Sequence, residues 1–441
     1  MLPSVHGFAF VSLPLNFSIL LSVSPRIPSL CMFESDTVWE FAIADQIKFG
    51  NGSTAELGDE LEKRAISSIL IVTDEQLREA GVVETVRTSV PEEVSVDVFD
   101  GVEPDPDVEV YESAIETAAT VDPDGIVGVG GGSSLDVAKV SGALAATDRD
   151  VLEYVAPPIG DGVSVPDSGL PVFAVPTTAG TGSESSPAAV VSLPERELKV
   201  GISSRHLYPD LAVVDPLLTV SLPPAITASS GMDALTHAIE AYTTRRYDTK
   251  ALPERADERP DYGGRTVVTD LFAEKAIELI GSSLQRAVNN GSDVEARRDM
   301  SLGGLLAGIA FTNAGLGATH AMAYPIAGEN HTPHGVTVAV LLPEVMRYNA
   351  PTVADRYGRV AELLGENVEG VSDRDASDRG VAAVEALSSD IGIPSGLAEL
   401  GVTEDDIPRL AEKSEEIQRL LVGNPRRVSR DDLEEILSQA L

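Results

Sequence analysis

From about residue 45 to about residue 220, short β-branched runs alternate with stretches of helical periodicity, and glycine or proline closes most of them. That alternation restricts the chain to βα units, because parallel strands can be joined only by a crossover long enough to hold a helix. Ala65 to Val72 predicts a buried strand, Glu75 to Val83 a helix, Val94 to Phe99 a strand and Val108 to Ala119 a helix. Gly125 to Val129 predicts a strand that runs into glycines, and Leu170 to Val175 another. After Pro223 the β pattern fades, and 266–289, 294–310, 353–364 and 379–390 carry helical periodicity. The prolines of Ser221-Leu222-Pro223-Pro224 break any continuing element. The expected architecture is an α/β domain with a parallel sheet over 32–222 and an all-α domain over 223–441. The polar run from Lys250 to Gly264 reads as a solvated loop.

Charge excludes whole classes of partner. Seventy acidic side chains against 32 basic ones leave a formal charge of -38, a field that repels nucleic acid and anionic lipid. Only seven of the basic residues are lysines, and an acidic, lysine-poor chain of ordinary hydrophobicity points to a halophilic protein. A lone cysteine, Cys31, leaves no intrachain disulfide and no thiolate metal cage, as expected of a cytoplasmic protein. Residues 1–31 resemble a secretory signal poorly, since Arg26 follows the apolar run, and Pro14 and Asn16 interrupt any membrane span. They read as a non-native extension upstream of Met32.

Two loops carry the chemistry of the first half. Ile126-Val-Gly-Val-Gly-Gly-Gly-Ser-Ser134 places glycines between a strand and a helix beginning near Leu135. Such a turn lets backbone N–H groups approach a phosphate and aims a helix N-terminus at it, although similar turns also close units that bind nothing. Asp74 ends the preceding strand, where an acid accepts hydrogen bonds from a ribose and disfavours a 2′-phosphate; an isolated acid there is as commonly a helix cap. Pro176-Thr-Thr-Ala-Gly-Thr-Gly-Ser-Glu184 follows a second strand with hydroxyls suited to ribose or pyrophosphate.

The second half contributes histidines, of which the chain has only six. Asp233 and His237 are four apart, so on a helix they share a face. His320 and His334 lie further along, in glycine-rich, apolar surroundings. Three imidazoles and one carboxylate form a set suited to Fe²⁺, Zn²⁺ or another divalent ion.

Taken together, GGGSSLDVAK at 130–139, PTTAGTGSE at 176–184, GMDALTHAIEAY at 231–242 and the paired histidines around 320 and 334 resemble the iron-containing (group III) alcohol dehydrogenase family. The resemblance runs from Phe33 to the carboxyl terminus. It implies an N-terminal dinucleotide-binding domain, a helical metal-binding domain, and a cleft holding NAD and one divalent metal. By match of motif it implies Asp233, His237, His320 and His334 as metal ligands. Asp74, Gly131, Gly132, Ser133, Asp136, Thr177, Thr178, Thr181 and Lys199 match cofactor-contacting positions. A homo-oligomer, a dimer, and a small alcohol or aldehyde substrate, or a hydroxyacid semialdehyde, are expected.

Many family members carry a histidine four residues after the third ligand, where this chain has Tyr324. A phenol with a reference pKa near 10 is a poorer proton relay, which leaves His331 as the nearest alternative base. Tyr324, Pro325 to Gly328 and the insertion around Arg259 to Gly264 are similar to the hydroxyacid-oxoacid transhydrogenase branch, which passes a hydride between 4-hydroxybutyrate and 2-oxoglutarate. That branch has a longer segment between its last two metal histidines. The expected activity is therefore NAD-linked alcohol dehydrogenation, with transhydrogenation as the alternative. A dehydroquinate-synthase-like lyase would need more lysine and arginine around its cleft, and a non-catalytic binder would not need all four ligand positions.

Overall fold

The computed structural model describes residues 38–441 except 197, 251–252, 254, 256–258, 261 and 331. The extension at 1–31 and His331 thus lie outside the described residues. Six strands form one parallel sheet: β1 (Ile47–Phe49), β2 (Ser68–Val72), β3 (Ser95–Phe99), β4 (Gly125–Gly130), β5 (Val172–Pro176) and β8 (Leu211–Val214), in the order β1-β8-β5-β4-β2-β3. Its central strands are apolar on both faces, as a sheet covered by helices on each side requires. Helices α1 (Leu57–Lys63), α2 (Glu75–Glu79), α3 (Val82–Arg87), α4 (Val108–Val121) and α5 (Gly132–Leu144) supply the crossovers and flanks. The expected helix over 75–83 is split, because Gly81 takes φ 78° and a right-handed helix cannot pass through it. Between β5 and β8 the chain forms an antiparallel hairpin, β6 (Ala188–Leu193) and β7 (Leu198–Ser203), that the sequence pattern does not announce.

After Pro223 every further α or β element among the described residues is helical. These are α6 (Pro224–Thr243), α7 (Val267–Asn289), α8 (Val294–Ala314), α9 (Ala318–Asn330), α10 (His334–Leu363), α11 (Asp373–Asp390), α12 (Ile407–Glu416), α13 (Gln418–Leu421) and α14 (Arg430–Gln439). Buried residues from α6 through α14 form one apolar cluster. Helix α6 is buried along most of its length, which removes Asp233, His237 and Glu240 from water together. Among the described residues no single helix is long and apolar enough to cross a membrane; α8 and α9 pass together but are bent by 106°.

Candidate metal and cofactor site

The C-terminal edge of a parallel sheet is where βα loops gather, and both glycine-bearing loops emerge there from adjacent strands, β4 and β5. Gly130 has φ 154°, and a Cβ at that position would stand 2.4 Å from Ser134 Oγ. A Cβ on Gly132 would stand 2.8 Å from Thr181 Cγ2, so the two loops pack too closely for any larger residue. Helix α5 begins at Gly132 with Gly131 as its N-cap and no side chain bonded to its first N–H groups, which leaves an open cradle for an anion.

Helix α6 supplies the other wall. Asp233 and His237 lie one turn apart on it, α9 brings His320 and the first residue of α10 is His334. Asp233 Oδ1 stands 3.9 Å from His237 Nε2, 3.7 Å from His320 Nε2 and 3.8 Å from His334 Nε2. Those separations are too long for hydrogen bonds and suit ligands that share a cation. Asp233 Oδ1 and His320 Nε2 are buried and have no hydrogen-bond partner within the protein, a costly state that a cation relieves. The tightest group is Asp233, His237 and His320, while His334 sits on the open side with 27% of its side chain exposed.

Outer contacts orient the imidazoles. His320 Nδ1 lies 2.6 Å from Glu240 Oε2, and Glu240 Oε1 accepts the Thr319 backbone N–H at 2.8 Å. His237 Nδ1 meets the Gly180 carbonyl at 3.3 Å, and its ring stacks between Phe311 and His320 at 4.3 and 4.6 Å. Each ring therefore turns Nε2 toward Asp233. Burial pushes His237 down to about 4 and holds His334 well below its ordinary value, so both are neutral nitrogen donors at neutral pH. For His320 burial acts the same way, but the Glu240 and Asp233 carboxylates outweigh it and raise the ring to about 9. Burial opposes ionisation of Asp233 too, yet the surrounding imidazoles hold its carboxyl far below the usual range.

One cavity of about 320 Å³ between the loops at the sheet's C-terminal edge and the helices that follow Pro223 joins the cradle to the histidines. It is lined by Gly131, Gly132, Ser133, Asp136, Thr178, Thr181, Lys199, Asp233, His237, His320, Tyr324 and His334. Two expected cofactor residues do not line it. Asp74 caps α2, Oδ1 accepting the Leu77 N–H at 2.9 Å, and Thr177 is buried behind the loop. Asp136 reaches the cavity with both oxygens engaged: Oδ1 accepts from Ser183 Oγ at 2.5 Å and Oδ2 from the Val190 N–H at 2.9 Å. Burial pushes the Tyr324 phenol up to about 12, and its ring packs against His334 at 5.5 Å.

Sequence reasoning missed Glu240, although its position seven residues after Asp233 on an extended helix was the available signal. It also missed Tyr262. The run from Lys250 to Gly264, expected as a solvated loop, sends Tyr262 into the cavity wall, and Lys250 Nζ donates to the Tyr262 carbonyl at 3.0 Å.

The pattern described as iron-containing alcohol dehydrogenase matches residues 44–216, and that of the C-terminal region of the Fe-containing alcohol dehydrogenase family matches 264–441. The chain belongs to the iron-containing alcohol dehydrogenase family. It is 37% identical to the NAD-dependent methanol dehydrogenase of Bacillus methanolicus, over 91% of this chain and 99% of that one. It is 34% identical to the mitochondrial hydroxyacid-oxoacid transhydrogenase of Rattus norvegicus, over 94% of this chain and 93% of that one. A crystal structure of 1,3-propanediol oxidoreductase superposes with a TM-score of 0.83 at 37% identity, covering 92% of this chain and all of that one. The expected fold and the expected dehydrogenase class hold; the transhydrogenase alternative is not favoured over it.

Proposed function

We propose that this chain oxidises a small primary alcohol, or reduces the matching aldehyde, with NAD as hydride partner and one divalent ion held by Asp233, His237, His320 and His334. The observation that carries the reading is Asp233 Oδ1: a buried, unpartnered carboxylate oxygen ringed by three imidazole nitrogens, in the same cavity as the open N-terminus of α5. When bound, the ion would supply Lewis-acid stabilisation for charge on the substrate oxygen and NAD⁺ would supply the hydride acceptor, with the hydroxyl proton leaving to water by way of the proposed base. Fe²⁺ is the proposed ion, and Zn²⁺ fits the same donors.

The chain's own residues do the positioning. Gly131, Gly132, Ser133, Thr178 and Thr181 would hold the pyrophosphate and ribose against the helix terminus, and Lys199 faces them while paired to Asp105 at 2.6 Å. Thr177 and Asp136 would act from behind by fixing the two loops. The oxygen of Asp74 that does not cap α2 is the one proposed to meet the adenosine ribose. Tyr324 holds its proton across the physiological range, so we assign it to orient a substrate hydroxyl rather than relay protons. His331 is the proposed base. We further propose that the protein is cytoplasmic and works in high salt, from the single cysteine and the net charge of -38; a dimer is proposed on the family resemblance alone.

The test is His320→Ala. Loss of both the bound ion, by elemental analysis, and NAD-linked alcohol oxidation is expected. Retention of both overturns the ligand assignment.

A further inference from the structure

Among the described residues, six of the seven lysines pair with a carboxylate: Lys48, Lys63, Lys139, Lys199, Lys275 and Lys413. Lys250 does not. It is partly buried, and its Nζ donates to the Tyr262 carbonyl at 3.0 Å. It also stands at a junction of cavities, bordering one of about 410 Å³ and one of about 490 Å³. The larger of these shares Ser186, Ala188 and Tyr262 with the cavity that holds the histidines. Charged neighbours there are mostly cationic: Arg205 and Arg259 line the first cavity and Arg419 the second, while the Glu40 carboxylate of the first is engaged by Arg259 at 2.5 Å. Burial, with the Arg245 charge adding to it, pushes the Lys250 ammonium down to about 8. A neutral amine gives one N–H to a carbonyl and still keeps its lone pair.

We propose that Lys250 is an aldehyde-capturing residue, whose amine takes a small aliphatic aldehyde as an imine in the passage outside the metal site. The natural source of that aldehyde rests on the dehydrogenase reading above, since alcohol oxidation releases one into the adjoining cavity. The nitrogen lone pair adds to the carbonyl carbon and a proton passes from nitrogen to oxygen, giving a carbinolamine. Loss of that oxygen as water, with the second N–H proton, leaves the C=N bond. No electrons are gained or lost, so the step needs no oxidant or reductant. A desolvated lysine beside other cations is the kind that forms such a bond, whereas a carboxylate partner favours the charged, non-nucleophilic form.

The test incubates the full-length protein with propanal at about pH 7.5, adds sodium cyanoborohydride to fix any imine as a propyl amine, and maps the label by peptide mass spectrometry. Lys250 is expected to label about tenfold or more faster than Lys63 and Lys275, whose side chains are 66% and 50% exposed, because an amine lowered to about 8 is partly neutral there. Labelling of Lys250 at the same rate as those two, or more slowly, overturns the proposal. The preference belongs to the fold and should vanish in urea; one that survives unfolding overturns it too. A parallel incubation of the iron-loaded protein with 1-propanol and NAD⁺ in place of propanal separates the two readings. NADH formed with Lys250 unlabelled in both incubations leaves the dehydrogenase reading standing and removes the capture site. Labelling by propanal alone, with no NADH formed from 1-propanol, upholds the capture site and removes the dehydrogenase reading.

Discussion

Glu240 sits one helical turn beyond His237 on the same face of α6, and its Oε2 lies 2.6 Å from Nδ1 of His320 on α9. It ties together the two helices that carry three of the candidate ligands. A carboxylate behind a metal-binding imidazole fixes its tautomer and raises its donor strength. Glu240→Gln is expected to weaken divalent-ion affinity about 10–100-fold. Competitive titration against a chromophoric chelator measures this, and an affinity equal to wild type would show that Glu240 only packs.

That same pair sets how the metal-free site meets a proton. His320 is raised to about 9 by its carboxylate neighbours, while His237 is lowered to about 4. Metal binding at neutral pH must therefore displace close to one proton, from His320. Affinity should rise about tenfold per pH unit between roughly pH 6 and pH 9 and level off above. The folded-state value of His320 lies above its ordinary 6.5, so its pairing stabilises the metal-free fold fully below pH 6.5, and this contribution is lost as pH rises through 9. Calorimetry in buffers of different ionisation enthalpy counts the protons released, and a count near zero at pH 7 would refute the assignment.

Much of this site was readable from residue spacing, and the unread parts share a physical cause. Short β-branched runs placed β2 to β5 because the central strands are buried on both faces, and period-3.6 patterns placed the long helices because each buries a continuous apolar face. The four-residue step from Asp233 to His237 was enough to put two candidate ligands on one face. Hairpin β6–β7 escaped because its strands, Ala188–Leu193 and Leu198–Ser203, mix apolar residues with small and polar ones, so pairing rather than pattern specifies them. The helix expected over 353–364 is the last part of α10, which is kinked at Val353, φ -137°, two residues after Pro351. Asp136 matched a cofactor motif, yet its bonds show it holding a loop, a distinction that needs three-dimensional neighbours.

Asp136 also balances a buried charge. Lys139 is fully buried, its Nζ 3.0 Å from Asp136 Oδ1 and donating to the carbonyls of Ser183, Ser186 and Ala188. Asp136→Ala strands that ammonium and is expected to cost about 3–5 kcal/mol of stability. Adding Lys139→Met to the same chain should return a large part of the loss. Urea unfolding of the single and double variants measures both, and simple additivity of two losses would contradict the pairing.

Gly132 offers a way to separate cofactor binding from metal binding. A Cβ there meets Thr181 at 2.8 Å, and the helix N-terminus would have to retreat from the cradle to make room. Gly132→Ala is expected to weaken NADH binding roughly tenfold, the scale of about 1–3 kcal/mol for overpacking a close contact. Divalent-ion affinity should stay at the wild-type level, because the four candidate ligands lie on α6, α9 and α10. NADH fluorescence titration beside a metal titration reads the two separately.

Glu184 closes the second loop as a buried carboxyl that burial pushes up to about 7, with the Lys139 charge only partly opposing the rise. Its folded-state value lies above its unfolded one, so the stabilising contribution is complete below about pH 4.5 and is lost as pH rises through 7. Glu184→Gln keeps the shape without the ionisation. The variant should gain stability relative to wild type as pH rises from 5 to 8, by an amount on the order of 3 kcal/mol at the upper end. Thermal unfolding of both proteins across that range checks the sign. A difference that stays constant with pH would mean that Glu184 does not change protonation on folding.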